Sequence, residues 1–363
     1  MLCKLHLFII FVLAPFFGLG IAYAQLQPFS VPGIATLALE GEALRQENHG
    51  ISIQLLDMRE SIREMRAATE VSHDLISMIS RDARTELQAY EQQRVRLQGL
   101  VAASTEQRYV AADMIELVLA NMLGDPVGQT FGENATVKVY SLKEAGYRGF
   151  MAKVRLHNPE AVRMVLAEDR VRSRGETTSS AARRTGAILA VNAGGFSPQA
   201  ESLIPLGITV IDGEVVTFTT HNSRLSFIGF NRSGQLVGGQ IETIEQLHEL
   251  DVLHGASFLP TLLKDGEKQP IPAAWANTRQ PRTLIGHFQN GDLLFVVIDG
   301  RREGWSLGVT LEEAQEKLIE FKVRDAYNLD GGGSSTFFYD GKVLNRPSDG
   351  RERLVTTNIV VMP

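Results

Sequence analysis

The clearest candidate for chemistry is a glycine-rich run near the C-terminus, Asp330-Gly331-Gly332-Gly333-Ser334-Ser335. Three consecutive glycines cost chain entropy, so they indicate a backbone geometry that other residues do not adopt readily. Such a turn can direct main-chain amides at an anion and lets a ligand approach the backbone closely. A P-loop is excluded because no lysine follows, and a dinucleotide-binding turn because the glycines lie between two predicted strands. A plain glycine-rich β-turn is the structural alternative.

Two further apolar runs end in a polar residue next to glycine. They are Val191-Asn192-Ala193-Gly194 and Val297-Ile298-Asp299-Gly300-Arg301. Side chains at strand ends with small neighbours can meet a ligand without obstruction. Arg282 and Thr283 open another predicted strand, where a guanidinium could hold a phosphate or carboxylate through two hydrogen bonds. We therefore expect one anion-receptive hollow, formed by Asn192, Arg282, Asp299, Arg301 and Asp330.

The elements that must position these residues are short and rich in β-formers. An apolar run such as 293–298 (LLFVVI) is typical of a buried strand. The spacing of Leu311–Val323 predicts a helix, which Thr310 and Glu313 begin with a capping box. Asp340-Gly341 predicts a hairpin turn. The fold class is therefore α+β, a strand-rich mixed α/β domain over residues 124–363. The predicted strands are 136–140, 151–156, 188–192, 208–211, 215–218, 293–298, 326–329, 336–339, 343–344 and 355–362.

The part of the chain before this domain has a different texture. No proline occurs between Gly33 and Asp125, and apolar residues from Ile51 onward step alternately by four and three, interrupted by Thr69, Ser72, Glu86 and Gln93 on seam positions. This heptad seam predicts a long coiled-coil-like helix over residues 40–123. Because one such helix cannot bury its stripe alone, it must pair with a copy, fold back near residues 99–105, or lie on the C-terminal domain. We interpret it as a stalk that self-associates or as a spacer, with a partner-binding helix as the alternative.

The first 24 residues are typical of an export signal. Lys4 precedes an apolar run over residues 5–24, which ends in a cleavage-type Ala22-Tyr23-Ala24. A retained N-terminal anchor is the alternative, with residues 5–24 as the membrane tether. Residues 25–39 are then a linker. We expect an exported protein, periplasmic or secreted.

Composition excludes several classes of protein. The chain has 363 residues with 36 lysines and arginines against 42 aspartates and glutamates, a net charge of −6. A dedicated nucleic-acid binder would carry a basic surplus. The single cysteine, Cys3, excludes a disulfide scaffold and a thiolate zinc site. No His/Glu spacing indicates zinc, while calcium held by aspartates and carbonyl oxygens stays open.

Several separate blocks together resemble one family, the phosphodiester glycosidases related to the lysosomal uncovering enzyme. The resemblance covers about Val137 to Met362 and not the N-terminal helix. One departure is visible: the family usually has Asn-Gly/Ala-Gly-Phe-Phe, and Gly195 replaces the first aromatic here. The blocks are Val-Asn-Ala-Gly-Gly-Phe (191–196), Pro-Leu-Gly-Ile (205–208), Pro-Arg-Thr-Leu-Ile-Gly (281–286), Val-Ile-Asp-Gly-Arg (297–301), Gly-Val-Thr-Leu-Glu-Glu (308–313), Asn-Leu-Asp-Gly-Gly-Gly-Ser-Ser-Thr (328–336) and Asn-Arg-Pro-Ser-Asp-Gly (345–350).

The resemblance implies a hydrolase that cleaves a sugar 1-phosphodiester to free sugar and a phosphomonoester. A phosphate monoester leaves as an anion with little need of a proton, so one carboxylate near the anomeric carbon could suffice. Asp330 or Asp299 could supply it, while Asn192 would bind a sugar hydroxyl or orient water. The phosphate would be held by cations, hydroxyls and amides of Arg282, Thr283, Arg301, Gly194, Gly331, Gly332, Gly333, Ser334 and Ser335.

Each of these roles has a structural alternative. Asp330 could simply cap the glycine turn, Asp299 could be a salt-bridge partner, and the serines could be backbone-capping hydroxyls. His254 and His287 are candidate helpers. We expect no required cofactor, with calcium as the open alternative, and a phosphodiester-linked saccharide from an envelope polymer or exopolysaccharide as substrate. The alternative functions are a non-catalytic saccharide-binding module on a helical stalk and a phosphodiesterase that cuts the P–O bond.

Overall fold

The computed structural model describes residues 41–219 and 225–363. The predicted signal or anchor at residues 1–24 and the linker at residues 25–39 lie outside the described residues. Within them, no helix combines the length and the apolar character needed to cross a membrane.

The part of the chain that the structure describes contains four α-helices and twenty strands. The helices are α1 (Gly41–Leu123), α2 (Thr178–Thr185), α3 (Ile244–Glu249) and α4 (Leu311–Glu320). The first ten strands are β1 (Gly128–Phe131), β2 (Ala135–Glu144), β3 (Tyr147–Leu156), β4 (Val162–Leu166), β5 (Leu189–Asn192), β6 (Phe196–Gln199), β7 (Ser202–Pro205), β8 (Thr209–Ile211), β9 (Glu214–Thr217) and β10 (Ser226–Asn231). The others are β11 (Leu236–Gly239), β12 (Val252–Phe258), β13 (Thr261–Lys264), β14 (Glu267–Lys268), β15 (Arg282–Phe288), β16 (Leu293–Ile298), β17 (Val323–Leu329), β18 (Phe337–Tyr339), β19 (Lys342–Val343) and β20 (Thr357–Val361).

The strands form three main sheets and one hairpin. The large sheet has the order β1-β2-β3-β16-β15-β17-β13-β14. Two five-stranded sheets have the orders β11-β10-β12-β8-β9 and β19-β18-β5-β20-β4, and β6 pairs with β7. Neighbouring strands run antiparallel in each sheet, for example β16 with β15 and β15 with β17. The predicted α+β class is confirmed.

The core lies on both faces of the large sheet. On one face, side chains such as Val297 and Leu329 pack with Val191 and Phe230 of the two five-stranded sheets. On the other face, α4 covers the sheet through Leu311, Ala314 and Leu318, among other buried residues. The strand β16 is buried along its whole length, as its unbroken apolar sequence predicts.

The capping box at Thr310 and Glu313 forms as predicted. The Glu313 amide donates to Thr310 Oγ1 (3.1 Å), and the Thr310 amide donates to Glu313 Oε2 (2.9 Å). The helix ends at Glu320 rather than at the predicted Val323, because Lys322 adopts a left-handed conformation (φ +63°) that helical geometry does not allow. The chain turns there and enters β17.

The helix α1 is unbroken over 83 residues. The alternative of a fold-back near residues 99–105 is therefore wrong. The chain divides into two compact units, and the division between Arg94 and Val95 falls inside α1. In the second unit, Leu119 is buried in the core, and Glu116 accepts hydrogen bonds from Lys153 Nζ (2.5 Å) and Lys138 Nζ (2.9 Å).

Candidate active site

Four predicted site residues, Arg282, Thr283, Asp299 and Asp330, lie together where three central strands of the large sheet begin or end. The strand β15 lies between β16 and β17 and runs antiparallel to both, so its start lies beside their ends. Arg282 pairs with Ile298, and Thr283 pairs with Leu329. The residues that follow those strands, Asp299 and Asp330, therefore flank the first residues of β15, although the three segments are far apart in sequence.

Asn192 holds the glycine turn closed. It is fully buried at the end of β5, and its Nδ2 donates to the main-chain oxygen of Asp330 (2.5 Å). Its Oδ1 accepts from Thr283 Oγ1 (2.8 Å) and from the Thr336 amide (3.1 Å). Because Asp330 and Thr336 are the two ends of the turn, this one side chain fixes its width. Asn192 is thus placed to position the turn, and it has no surface with which to meet a sugar hydroxyl.

The glycine turn is a short 3₁₀ segment rather than an open cradle of amides. The Gly332 amide donates to Pro281 O (2.9 Å) and the Ser334 amide to Gly331 O (3.2 Å), so neither is available to an anion. A side chain at position 331 would contact Pro281 O, which explains the first glycine. The expected convergence of amides on an anion is therefore not formed by these two groups.

A cavity of about 360 Å³ opens beside this turn. Five predicted site residues line it: Arg282, Arg301, Asp330, Gly331 and Gly332. The other seven do not line it, because they are buried behind the turn or packed against neighbouring strands; these are Asn192, Gly194, Thr283, Asp299, Gly333, Ser334 and Ser335.

Asp330 is the only carboxylate among the described residues that line the cavity. It is partly exposed, and burial raises the pKa of its carboxyl to about 6. The buried Ser334 hydroxyl approaches the carboxyl group without a well-aligned hydrogen bond. That hydroxyl, the Arg353 charge and the Gly331 amide lower the pKa and offset only part of the effect of burial. A carboxyl group of this kind can accept a proton near neutral pH.

Asp299 has a different environment from the one expected for a catalytic carboxylate. It is buried, and its Oδ2 accepts from Trp305 Nε1 (2.8 Å). Its Oδ1 accepts from Asn345 Nδ2 (3.1 Å) and from the Arg346 amide (2.9 Å). With both oxygens occupied and no surface on the cavity, Asp299 is placed to anchor the 345–346 segment.

Three guanidinium groups surround the cavity. Arg282 is buried, and its donors reach Val309 O (3.3 Å) and Thr278 O (2.8 Å). Burial lowers the pKa of Arg282 to about 10, which still leaves the group charged at neutral pH. Arg301 donates from Nε to Gln280 Oε1 (2.6 Å) and adopts a left-handed backbone (φ +58°).

The third guanidinium, Arg353, was not predicted. Arg353 lines the cavity on a loop before β20. The cavity therefore pairs one negative side chain with three positive ones, which is suitable for an anionic ligand.

An aromatic wall faces this charged part of the cavity. Phe258 and Trp275 pack edge to face, with ring centroids 5.7 Å apart and planes at 88°. The Phe258 ring occupies the space beside Gly195, since a Cβ at that glycine would lie 3.0 Å from the Phe258 ring. The departure from the family pattern at residue 195 thus coincides with an aromatic side chain supplied by another strand.

Neither candidate histidine lies at this cavity. His254 is buried, accepts from the Asp212 amide at Nδ1 (3.3 Å), and has a pKa lowered by burial. His287 Nε2 lies 3.1 Å from Asp325 Oδ2 and lines another cavity. Over residues 41–219 and 225–363, no three His, Cys, Asp or Glu side chains are grouped as metal ligands would be.

Sequence reasoning missed the residues that loops bring to the cavity. The segment between β14 and β15 has no strand and supplies Ala274, Trp275, Thr278 and Gln280. A lone tryptophan in a proline-containing loop was the available signal, because binding residues often lie on such loops. Arg353, three residues after the 345–350 block, had no pattern of its own.

Comparison with known proteins gives consistent matches for this part of the chain. Residues 185–362 match the family model described as phosphodiester glycosidase, a start later than the expected Val137. The chain is 31% identical over 192 residues to the N-acetylglucosamine-1-phosphodiester alpha-N-acetylglucosaminidase of Bos taurus, covering 48% of this chain and 36% of that protein. It is 28% identical over 192 residues to the SPbeta prophage-derived uncharacterized protein YomE of Bacillus subtilis (strain 168), covering 51% of this chain and 29% of that protein.

A solved structure shares the fold. It is the zebrafish N-acetylglucosamine-1-phosphodiester alpha-N-acetylglucosaminidase catalytic domain, auto-inhibited by its pro-peptide, with a TM-score of 0.53 and 20% sequence identity. The match covers 63% of this chain and 83% of that one. The chain therefore shares the fold of that domain, while it spans only 29% and 36% of the length of the two relatives above.

Proposed function

Because the C-terminal domain belongs to the phosphodiester glycosidase family, we propose that this protein hydrolyses a sugar 1-phosphodiester. The bond cleaved is the C–O bond at the anomeric carbon, and the products are a free sugar and a phosphomonoester. The natural substrate is a phosphodiester-linked saccharide of an envelope polymer or exopolysaccharide.

One observation carries this proposal: Asp330 faces a cavity that it shares with three guanidinium groups and no second carboxylate among the described residues. Ordinary glycosidases need a second carboxylic acid, because their leaving group is a poor alkoxide that must be protonated. A phosphate monoester, with a second pKa near 6, leaves without that help. The charges of this cavity therefore suit a sugar phosphate better than a plain glycoside.

The reaction then needs two sets of groups from this chain. The Asp330 carboxylate accepts a proton from the water that attacks the anomeric carbon, and the electron pair of the breaking C–O bond goes to the phosphate oxygen. Arg282, Arg301 and Arg353 stabilise the phosphate as its charge grows. Attack by Asp330 itself, with water opening the intermediate, uses the same residues, and the stereochemistry of the released sugar separates the two routes.

The test is a screen of the purified full chain against hexose and N-acetylhexosamine 1-phosphodiesters in ¹⁸O-water. We expect the label in the released sugar, and loss of turnover in a folded Asp330→Asn variant. Label in the phosphate would indicate a phosphodiesterase. Saturable binding with no product over long incubation would indicate a saccharide-binding module instead. Either result would overturn the proposal.

We also propose that no metal ion is required, since guanidinium groups can supply the positive charge around the phosphate. Activity should survive dialysis against EDTA. Loss of activity that added calcium restores would contradict this.

The helix α1 supports a further part of the proposal, self-association. Its seam residues are exposed in the single chain, Leu55 by 52%, Ile62 by 45% and Leu97 by 62%. With α1 unbroken and apolar residues repeating every 3.5 positions, a second copy in parallel register places each seam residue opposite itself. Sedimentation should show a dimer that Ile62→Glu dissociates. Ile53→Glu, also exposed but off the seam, is the matched control; a monomeric parent chain would contradict the proposal.

Export remains the proposal for residues 1–24, either as a cleaved signal or as a membrane tether. Expression of the full chain in a bacterial host, followed by fractionation and N-terminal sequencing, tests it. A mature N-terminus at Gln25 in the periplasm or medium indicates cleavage. Recovery in the membrane fraction with an intact N-terminus indicates a tether, and recovery in the cytoplasm would contradict export.

A further inference from the structure

Guanidinium groups of two arginines pack against the backbone of two consecutive glycines in the turn. Gly332 has a left-handed conformation (φ +60°), and a Cβ there would lie 3.1 Å from Arg301 Nη2. A Cβ at Gly333 would overlap both the Arg353 guanidinium and the Asp349 carboxylate. The second and third glycines are therefore explained by what lies on them: any side chain would displace an arginine from the rim of the cavity.

Arg353 is held in this place by Asp349. The two side chains join at 2.7 Å between Arg353 Nη2 and Asp349 Oδ2, and each remains about 40% exposed. Ser348 Oγ donates to the other oxygen of Asp349 (3.1 Å). The hydrogen bond from Arg353 lowers the pKa of Asp349, so this carboxylate is ionised when the guanidinium is beside it. The ion pair is accessible to solvent, so a soluble anion can reach it.

A phosphate can take the place of such a carboxylate. Both groups present two oxygens to the fork of a guanidinium, and phosphate carries the larger charge once it is a monoester. The cavity lining holds three arginines against Asp330, a surplus of two positive charges, and Asp349 neutralises one of them from outside the cavity. An exposed ion pair of this kind is weak, so its exchange costs little.

We propose that Arg353 binds the phosphate of the substrate, and that Asp349 is a built-in anion that holds its guanidinium over the glycine turn until the phosphate displaces it. This rests on the proposed function. Arg353 is then a binding residue and Asp349 a positioning residue. The phosphomonoester product, with more charge than the diester, binds this site more tightly than the substrate and inhibits competitively.

Calorimetric titration of the full chain with inorganic phosphate tests the proposal without turnover. Arg353→Gln should weaken phosphate binding by about 10- to 100-fold, the loss expected for a charged hydrogen-bonding partner. Arg353→Lys keeps the positive charge but not the two parallel donors of the guanidinium, so it should lose less phosphate affinity than Arg353→Gln. Asp349→Asn should tighten binding by a few-fold, because a competing anion is gone. Arg351→Gln, an exposed arginine on the same loop that does not line the cavity, is the matched control.

Two results would overturn the inference, once thermal unfolding shows each variant to be folded. The first is equal phosphate affinity in the parent chain and Arg353→Gln. The second is a loss in Asp349→Asn as large as in Arg353→Gln, which would mean that Asp349 is required rather than displaced. Failure of the proposed function is distinguishable: the parent chain would bind phosphate in an Arg353-dependent way and yet release no sugar. In an active enzyme, Arg353→Gln should lower kcat as well as raise KM, because the contact strengthens as the charge of the phosphate grows.

Discussion

Two aspartates follow the strands β16 and β17, which lie on either side of β15 in the large sheet, and each precedes a glycine. Asp299, after β16, is buried with both oxygens accepting hydrogen bonds from Trp305, Asn345 and Arg346. Asp330, after β17, lines the cavity, and burial raises the pKa of its carboxyl to about 6. The same residue type in the same sequence setting thus has both oxygens hydrogen-bonded in one place and lines a cavity with a raised pKa in the other. What separates them is the set of donors that distant loops bring to each.

The largest effect on activity should come from replacing the carboxylate that lines the cavity. Asp330→Asn removes the only carboxylate among the described cavity residues, so kcat/KM for a sugar 1-phosphodiester should fall by about 10²- to 10⁴-fold. Steady-state kinetics on the folded variant measures this. Asp340→Asn, in an exposed hairpin turn whose left-handed conformation asparagine tolerates, is the control and should retain full activity. Unchanged turnover in Asp330→Asn would remove Asp330 from the mechanism.

Because the pKa of Asp330 is raised, both activity and stability should depend on pH. If the carboxylate is the active form, kcat/KM should fall about tenfold per pH unit below pH 6. Stability should change in the opposite direction. Because the native state binds this proton up to about pH 6 and the unfolded chain only up to about pH 4, the free energy of unfolding falls as the pH rises through that window.

Asp330→Asn should therefore be more stable than the parent chain at pH 7, by up to about 3 kcal/mol, and equal to it near pH 4. Urea unfolding at both pH values measures the difference. An Asp330→Asn variant that is less stable at pH 7 would mean that the carboxylate is held by favourable contacts, as Asp299 is.

The buried aspartate should show the reverse pattern, a loss of stability with activity retained. In Asp299→Asn, an amide group faces donors that the carboxylate satisfied, which costs about 1–3 kcal/mol of unfolding free energy. The folded fraction should keep kcat within about tenfold of the parent, since Asp299 does not touch the cavity. Loss of activity at unchanged stability would exchange the roles of the two aspartates.

Some elements of the fold follow from local sequence, whereas the strands β10 to β14 were not among the predicted ones. The strand β16 has the bounds that its unbroken apolar run predicts, and the capping box of α4 forms as its two residues predict. The location of the candidate site can also be predicted, because strand ends rich in glycine mark where side chains can reach a ligand. Arg282, Arg301 and Asp330 lie at one cavity for that reason.

The distinction between the two aspartates could not be predicted. Asp299 is satisfied by Asn345 and Arg346, 46 and 47 residues away, and no spacing in one sequence reveals that contact. Asn192 is a similar case. It is polar and lies two residues before a glycine, as a ligand-binding residue could, but its side chain is hydrogen-bonded to both ends of the glycine turn. Side-chain roles at a strand end depend on tertiary partners, whereas the position of the strand end does not.

The smallest expected effects come from replacing the two tryptophans of the chain. One lies beside Asp299 and the other lines the same cavity as Asp330. Trp305 donates to Asp299 and lies under the Arg346 guanidinium, 3.6 Å from the ring centroid to Cζ. Trp275 lines the cavity of Asp330, where an aromatic ring can pack against the apolar face of a sugar. Trp275→Ala should raise KM by about three- to tenfold and change kcat little, since stacking binds ground and transition states alike.

The paired variant is Trp305→Phe, which should cost about 1 kcal/mol of stability through the lost bond to Asp299 and leave KM unchanged. With only two tryptophans in the sequence, fluorescence distinguishes them directly. A sugar 1-phosphodiester added to Asp330→Asn, which binds without turnover, should change the emission when Trp275 is the remaining tryptophan and leave it unchanged when Trp305 is. A response from Trp305 alone would place the ligand at the buried aspartate. It would thereby reverse the assignment of the two strand ends, since the ring that senses the sugar must lie beside the carboxylate that attacks it or activates its water.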